Sequence, residues 1–203
     1  MENQLLHAAA TALAHRLNRY TRKDGLEFKK LIYGMEILLI NVSKLIIIYL
    51  LAAALGVVVP TLITHGAYVA VKRYSFGLHA LNSTVCTIVS CCLFVFIPWL
   101  LQGVGVGNGV VAAAFVLVIF CLWRYAPADT KARPLVGPKL RARIKRKAIA
   151  SGAILMAIAL MVPSQQFKLL ILVGAVFQAV SILPCTYKIL KRSGKNYEAY
   201  ESA

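Results

Sequence analysis

Charged residues are scarce in this sequence of 203 residues: they make up 15% of it, where soluble domains have about a quarter. Hydrophobic residues reach 60% and are gathered in long runs. This composition excludes an ordinary soluble domain. It predicts an all-α membrane protein, a polytopic bundle of about six transmembrane helices with an amphipathic helix at the N-terminus.

Acidic residues are the rarest of the charged ones, with 7 Asp and Glu against 23 Lys and Arg and a formal net charge of +16. In a soluble protein this excess would suggest a nucleic-acid partner. In a membrane protein it is explained by cytoplasmic loops enriched in Lys and Arg and by contact with anionic lipid. We therefore expect the lipid bilayer as a partner and no nucleic acid.

Patterns that would indicate a metal, a cofactor or a phosphate site are missing. The cysteines have no metal-ligand spacing, and adjacent Cys91 and Cys92 lie in an apolar run, where cysteine usually packs. The glycine-rich stretch 102–109 lacks the lysine and the strand-to-helix context of a phosphate loop. The N-terminus has no basic-then-apolar layout, so no cleavable signal is expected. We expect neither a metal nor a cofactor.

Residues 1–30 are too polar to span a membrane. Apolar residues recur there at helical spacing and basic residues follow them, which is typical of an amphipathic helix on the cytoplasmic membrane surface. A helix packed on the protein itself is the alternative. A single membrane-embedded helical domain should cover 31–184, including a basic cytoplasmic loop at 124–147. A basic cytoplasmic tail should cover 185–203.

Six apolar runs predict the membrane spans, at about 31–54, 57–71, 81–101, 109–123, 148–162 and 167–183. The second run is short and contains Pro60 and His65, so it is either a tilted helix or a re-entrant segment. With both termini cytoplasmic, every Lys and Arg except Lys44 and Lys168 falls in a cytoplasmic segment. This bias predicts a multi-pass protein of the cytoplasmic membrane with both ends inside.

Residues that carry chemistry concentrate in the stretch 72–90, KRYSFGLHALNSTVCTIVS, at the mouth of an apolar run. His79 and Cys86 are the candidate catalytic pair, because a thiol becomes a nucleophile when a base takes its proton. A histidine and a cysteine near an apolar segment are also common as structural residues, and that interpretation stays open. His65, distant in sequence, is a minor alternative base.

Seven residues separate the pair, which is about 10 Å along a continuous helix, whereas proton transfer needs an approach of roughly 3 Å. The helix that carries Cys86 should therefore begin no earlier than about Leu81. Gly77 permits unusual backbone angles, and Asn82 or Ser83 would cap the helix. Cys86 would then lie in the first turns, where free N–H groups and the helix dipole favour a thiolate and an oxyanion.

Polar residues also occur within the first predicted span. Glu36 and Lys44 share one helical face, and Asn41 lies beside Lys44. Polar groups at such depth should face the bundle interior or a watery cavity. They form either a structural network or part of the site.

The sequence resembles the accessory gene regulator protein B (AgrB-like) family over nearly its whole length. The stretches that carry the resemblance are RYSFGLHALNSTVC, EILLINVSKLIIIYLLA in the first span and YAPADTKARP after the fourth. The family consists of membrane-embedded cysteine endopeptidases that process a quorum-sensing pro-peptide. One departure is Phe76, where many members have the first glycine of a Gly-Gly pair and this sequence keeps only Gly77.

The resemblance implies that Cys86 is the nucleophile and His79 its general base. It also implies a short AgrD-like pro-peptide with an internal cysteine, cleaved in its C-terminal part through a thioester and then cyclised to a thiolactone. Candidates to orient His79 or support an oxyanion are Ser75, Gly77, Asn82 and Ser83, with Asp129 as a further candidate to orient His79. Candidates for substrate or lipid contact are Glu36, Lys44, Lys72, Arg73, Asp129 and Lys131.

Two other function classes stay open at this point. The protein could be a peptide exporter whose His and Cys are structural, or a non-catalytic membrane scaffold. A glycine-rich turn and charges within a span are compatible with transport. The basic loop would attract acidic substrate segments or anionic lipid, or be a plain cytoplasmic loop. The oligomeric state is also open, with a homodimer as one option.

Overall fold

The computed structural model describes residues 2–77, 83–130, 134–191, 194 and 196–201. Every regular element in these ranges is a helix, and three of the helices are long and apolar enough to cross a membrane: Gly25–Ala54, Ser83–Leu100 and Asn108–Tyr125. The predicted all-α membrane bundle is therefore confirmed. The chain divides into two compact units, residues 1–51 and 52–203.

The first unit contains helix α1 (Glu2–Thr21) and most of helix α2 (Gly25–Ala54). Asn18 stabilises the C-terminal end of α1, because its side-chain oxygen accepts a hydrogen bond from the backbone N–H of Lys23 at 2.7 Å. The Glu36 carboxylate forms an ion pair with His7 of α1, a partner that the sequence analysis did not name, and the role of Glu36, Asn41 and Lys44 stays a prediction. A histidine reaches this carboxylate because α1 folds back along α2, which helical spacing within one span could not reveal.

The second unit begins with the last residues of α2 and a turn at 55–57, where the sequence predicted a turn. Its elements are α3 (Val58–Ser75), α4 (Ser83–Cys91), a π-helical turn (Cys92–Phe96), α5 (Ile97–Leu100), α6 (Asn108–Tyr125), α7 (Pro138–Met161), α8 (Gln165–Ser181), α9 (Pro184–Ile189) and α10 (Glu198–Glu201). Helices α3, α6, α7 and α8 pack on one another and form the core, and the π-helical turn and α5 pack against α3.

Helix α6 shows how the core is formed. One face buries Val111, Phe115, Val118 and Leu122 against the neighbouring helices, at helical spacing. The opposite face leaves residues such as Leu117 and Phe120 exposed. A helix that is apolar on both faces is stable where its outer face contacts lipid.

Close helix packing depends on small residues. A Cβ at Gly174 of α8 would overlap the backbone carbonyl of Thr64 in α3. One at Gly152 of α7 would lie 2.8 Å from Leu122 of α6. Such small residues let the backbones of membrane helices approach closely.

The basic stretch after residue 137 is helical, whereas the sequence predicted that all of 124–147 is a loop. Helix α7 begins at Pro138, and Lys139 to Lys147 form its first turns. Proline is favoured at the first helical position because its missing N–H would have no partner there. Lys and Arg are good helix formers. The charge of this stretch indicates where it lies, and it does not prevent a helix.

The loops that connect the helices of the second unit lie at two ends of the bundle, and hydrogen bonds join the loops at each end. At one end, the backbone N–H of Val106 donates to Gln165 across the loop between α5 and α6. At the other end, Gly77 donates to Ala128, and the tail meets Asp129. The predicted count of six spans and the cytoplasmic position of both termini stay predictions.

Candidate functional site

The site is built around the end of helix α3. The helix stops at Ser75, and the next two residues have positive φ values, 59° for Phe76 and 104° for Gly77. Ala128 clamps this turn, because it donates its N–H to the Ser75 carbonyl at 2.9 Å and accepts the Gly77 N–H at 3.0 Å. The segment that leads to His79 therefore leaves from a fixed point.

A glutamine from α8 holds the same turn. The Gln178 side-chain nitrogen Nε2 donates to the Ser75 hydroxyl and to the Phe76 carbonyl, each at 2.7 Å. The Ser75 hydroxyl in turn donates to the Val71 carbonyl at 2.9 Å. Ser75, a candidate to orient His79, is thus tied to Gln178 and to its own helix.

Gly77 is required at its position for two reasons. Its φ of 104° lies in a region that residues with a side chain rarely adopt. A Cβ added there would also lie 2.9 Å from the Ser181 hydroxyl oxygen. The sequence predicted that Gly77 supplies unusual backbone angles, and the turn uses this freedom.

Cys86 lies in the first turn of the described part of α4, which begins at Ser83. It is a half-buried free thiol. It interacts electrostatically with Lys72 and Tyr68 of α3. The Lys72 ammonium donates to the Tyr68 hydroxyl and lies 4.8 Å from the centre of that ring. Lys72 therefore brings a cation within electrostatic range of the thiol.

His79, Asn82 and Lys131 lie outside the described residues. The pairing of His79 with Cys86 and the capping of α4 by Asn82 therefore stay predictions. The alternative base, His65, lies in α3 with its ring 4.7 Å from that of Phe94.

The remaining cysteines occupy varied surroundings. Cys91 is buried, Cys121 is half-buried, and Cys92 and Cys185 are exposed. Within the described ranges, no group of three or more His, Cys, Asp or Glu residues is placed to hold a metal ion.

Asp129 is engaged by the C-terminal tail. It is 3% exposed, and its carboxylate accepts the backbone N–H of Tyr197 at 2.9 Å. Its own carbonyl accepts the Tyr187 hydroxyl at 3.0 Å. Burial raises the pKa of that hydroxyl to about 12. The structure therefore places Asp129 in a contact with the tail.

A second tail contact lies close by. The two terminal guanidinium nitrogens of Arg141 donate to the Glu201 carboxylate, at 2.5 and 3.0 Å. The backbone N–H of Gly137 donates to the same carboxylate at 2.8 Å. The hydrogen bond from Arg141 holds the pKa of Glu201 below its ordinary value. A cavity of about 550 Å³ adjoins these contacts, and its lining includes Asp129 and the cations Arg124, Arg141, Lys145 and Lys188.

Sequence reasoning missed Gln178 and the folded tail. Gln178 is a lone amide in an otherwise apolar run, which is a signal that marks function or packing in membrane helices. For the tail, Glu198 and Glu201 are the only acidic residues after Asp129. In a chain so rich in cations, late carboxylates indicate a contact with a basic surface.

Comparison with known proteins decides the family. The family model Accessory gene regulator B matches residues 9–182. The chain belongs to the accessory gene regulator B family. The match covers the end of α3, Cys86 and Gln178.

Similar proteins of this family occur in several bacteria. The chain is 43% identical over 180 residues to an AgrB-like protein of Listeria innocua, covering 88% of each chain. It is 40% identical over 200 residues to an AgrB-like protein of Clostridium acetobutylicum, covering 98% of this chain and 96% of that one. It is 34% identical over 172 residues to accessory gene regulator protein B of Staphylococcus haemolyticus, covering 83% and 88%. No solved structure matches the chain significantly.

Proposed function

We propose that this member of the accessory gene regulator B family is a membrane-embedded cysteine endopeptidase. Its substrate would be an AgrD-like quorum-sensing pro-peptide, cleaved in its C-terminal part. The observation that carries the proposal is the surroundings of Cys86: a half-buried free thiol in the first turn of the described part of α4, within electrostatic range of the Lys72 ammonium. A cysteine used only for packing gains nothing from a cation beside it.

The first half of the reaction forms a thioester. His79 takes the proton of the Cys86 thiol, and the thiolate attacks a backbone carbonyl of the peptide. The carbon–nitrogen bond then breaks, and the leaving amine receives the proton held by His79. The C-terminal fragment departs, and the rest of the peptide stays bound to Cys86 through a carbon–sulfur bond.

The second half releases the product. A cysteine within the bound peptide loses its proton to His79, and its sulfur attacks the thioester carbonyl. The bond to Cys86 breaks, and its sulfur recovers a proton from His79. One thioester replaces another, so the step needs proximity and exclusion of water more than a driving force.

Charge suggests how the substrate and the membrane are oriented. Lys72 and Arg73 lie at the end of the bundle from which the His79 segment departs, and the first turns of α7 bring further cations to that end. We infer that this end faces the cytoplasm, with both termini on that side. Acidic peptide segments and anionic lipid would be attracted to it.

Cleavage by substituted variants tests the proposal. Cys86→Ser and His79→Ala should each abolish cleavage of the pro-peptide in proteoliposomes, while insertion into the membrane stays normal. Cys91→Ala, a change of the same element at a buried cysteine, should keep most activity. Cleavage retained by Cys86→Ser would favour an exporter or a scaffold over a protease.

A further inference from the structure

Gln178 has a hydrogen-bonding capacity that the described residues use only in part. Its side chain is fully buried, at 0% exposure. Its Nε2 donates to the Ser75 hydroxyl and the Phe76 carbonyl. Its oxygen Oε1 is also buried, and no residue in the described ranges donates to it.

The orientation of this amide is fixed by its partners. A backbone carbonyl only accepts hydrogen bonds, so the Phe76 carbonyl requires the NH₂ group to face it. A reversed amide would place two oxygens 2.7 Å apart. Packing of α8 alone does not require two hydrogen bonds from one buried amide to the end of α3. The amide at Gln178 needs another explanation.

Its position supplies one. Phe76 has a φ of 59°, a conformation that costs a residue with a side chain of order 1–3 kcal/mol and persists only when its surroundings hold it. The backbone of Ala128 holds the residues on either side of Phe76, and the bond from Gln178 holds the Phe76 carbonyl itself. The proposed base, His79, follows two residues after Gly77.

We propose that Gln178 is a positioning residue for the proposed base. It fixes the Phe76–Gly77 turn and thereby sets the point from which the segment bearing His79 leaves α3. The inference rests on the proposed cysteine endopeptidase function. Without the amide, Phe76 relaxes toward ordinary angles and the start of that segment moves. A displacement of about 1 Å costs up to about a hundredfold in rate when reacting groups must meet.

The test is the reactivity of Cys86 as a function of pH. The full chain, with Cys91, Cys92, Cys121 and Cys185 changed to Ala, is placed in lipid vesicles and alkylated with iodoacetamide between pH 5 and 10. In this background the alkylation rate should rise with pH as the Cys86 thiolate forms, and a paired imidazole should bring that rise to lower pH because it favours the thiolate. His79→Ala should move the rise upward.

Gln178→Met should move the rise upward as well, toward the position seen with His79→Ala. It should also lower kcat for pro-peptide cleavage by about tenfold to a hundredfold, with KM changed less than about twofold. The matched control is Gln166→Met, the same substitution in the first turn of α8, which should change neither quantity. Gln178→Glu keeps the size of the side chain, but once ionised, at the upper end of the pH range, its carboxylate cannot donate to the Phe76 carbonyl. It should reproduce the shift if the methionine variant fails to fold.

Two results would overturn the inference, and they are distinguishable. If His79→Ala moves the pH profile while Gln178→Met and Gln178→Glu leave it and kcat unchanged, Gln178 is structural and the proposed function stands. If His79→Ala itself leaves the profile unchanged, the pairing of His79 with Cys86 is wrong and the proposed function fails with the inference.

Discussion

Lys72 combines a charge with a restricted position. Its ammonium is held by the Tyr68 hydroxyl, one turn earlier in α3, and interacts electrostatically with Cys86. Arg73 is its immediate neighbour, yet it is exposed and lies over the Tyr74 ring at 5.8 Å. Two adjacent cations therefore have different surroundings, and Lys72 is the one whose charge interacts with the thiol.

We predict that Lys72→Met slows formation of the thioester about tenfold, because the variant loses the cation near the attacking sulfur. A tenfold change in rate corresponds to about 1.36 kcal/mol. Single-turnover cleavage of the pro-peptide measures this rate. Arg73→Met removes the same charge from the same turn and should change the rate less than about twofold. Equal effects of the two variants would mean that only the overall charge of this end matters.

Gly77 is the second position where one residue decides the local structure. We predict that Gly77→Ala lowers the free energy of unfolding by about 1–3 kcal/mol, because φ is positive and the added methyl meets the Ser181 hydroxyl. Cleavage activity should fall at least tenfold. Thermal unfolding in detergent and cleavage rates measure the two effects.

Gly103 offers a control that separates backbone strain from crowding. Its φ is 76°, but a Cβ there meets nothing within 4 Å. Gly103→Ala should therefore show only the strain, with a smaller loss of stability and unchanged cleavage. A loss of stability as large as that of Gly77→Ala would show that contact with Ser181 contributes little.

At the scale of elements, the C-terminal tail forms hydrogen bonds with residues that are distant in sequence. Helix α10 contacts α7 through Glu201 and Arg141, and Arg141 also lies 3.9 Å from the centre of the Tyr197 ring. These contacts fix the tail beside the basic cavity. Without these contacts, nothing would hold a short basic tail beside a cavity lined by cations.

We predict that docking of the tail is lost at low pH. The pKa of Glu201 is lowered from 4.5 in the folded protein, so its contribution is fully present above 4.5 and disappears as the pH falls through the lowered value. Limited proteolysis of the tail measures docking. Arg141→Met should expose the tail severalfold at neutral pH, while Arg143→Met, at an exposed position two residues later, should not. Equal protection in both variants would contradict the contact.

The elements also show what the sequence could predict. The turn before α3, the glycine-rich turn before α6 and the turn before α8 all follow from breaks in apolar runs, and they were predicted. The sequence does not predict the start of α7 at Pro138, because a run of cations between two apolar spans is typical of a loop. The bond between Gln178 and Phe76 joins residues 102 positions apart, and no local pattern reveals such a pairing.

At the scale of the whole molecule, the cations lie at the end of the bundle that the helix directions bring together. The helices of the second unit alternate in direction, so that the ends of α3, α6 and α8 meet the start of α7. The cations Arg124, Arg141, Lys145 and Lys188 gather at that end. Counting cations along the sequence predicts this segregation, because Lys and Arg are retained on the cytoplasmic side of membranes. The tertiary contacts of the tail lie beyond such a count.

We predict that single cysteines at Tyr20, Thr130 and Lys195, in a cysteine-free background, are labelled only after cells are opened. Cysteines at Val104 and Gln165 should react with a membrane-impermeant reagent in intact cells, since these two segments lie at the same end of the bundle. Impermeant maleimide labelling measures both sets. Reaction of Thr130→Cys from outside would overturn the proposed orientation.

The most direct test of the central claim is to trap the acyl-enzyme. A pro-peptide whose internal cysteine is replaced by serine cannot readily release itself as a thiolactone, so the thioester on Cys86 should accumulate. Intact-protein mass spectrometry should then show the mass of the N-terminal peptide fragment, removed by hydroxylamine and mapped to Cys86 by digestion. His79→Ala should show no adduct. An adduct on another cysteine, or cleavage without any adduct on the protein, would contradict the account.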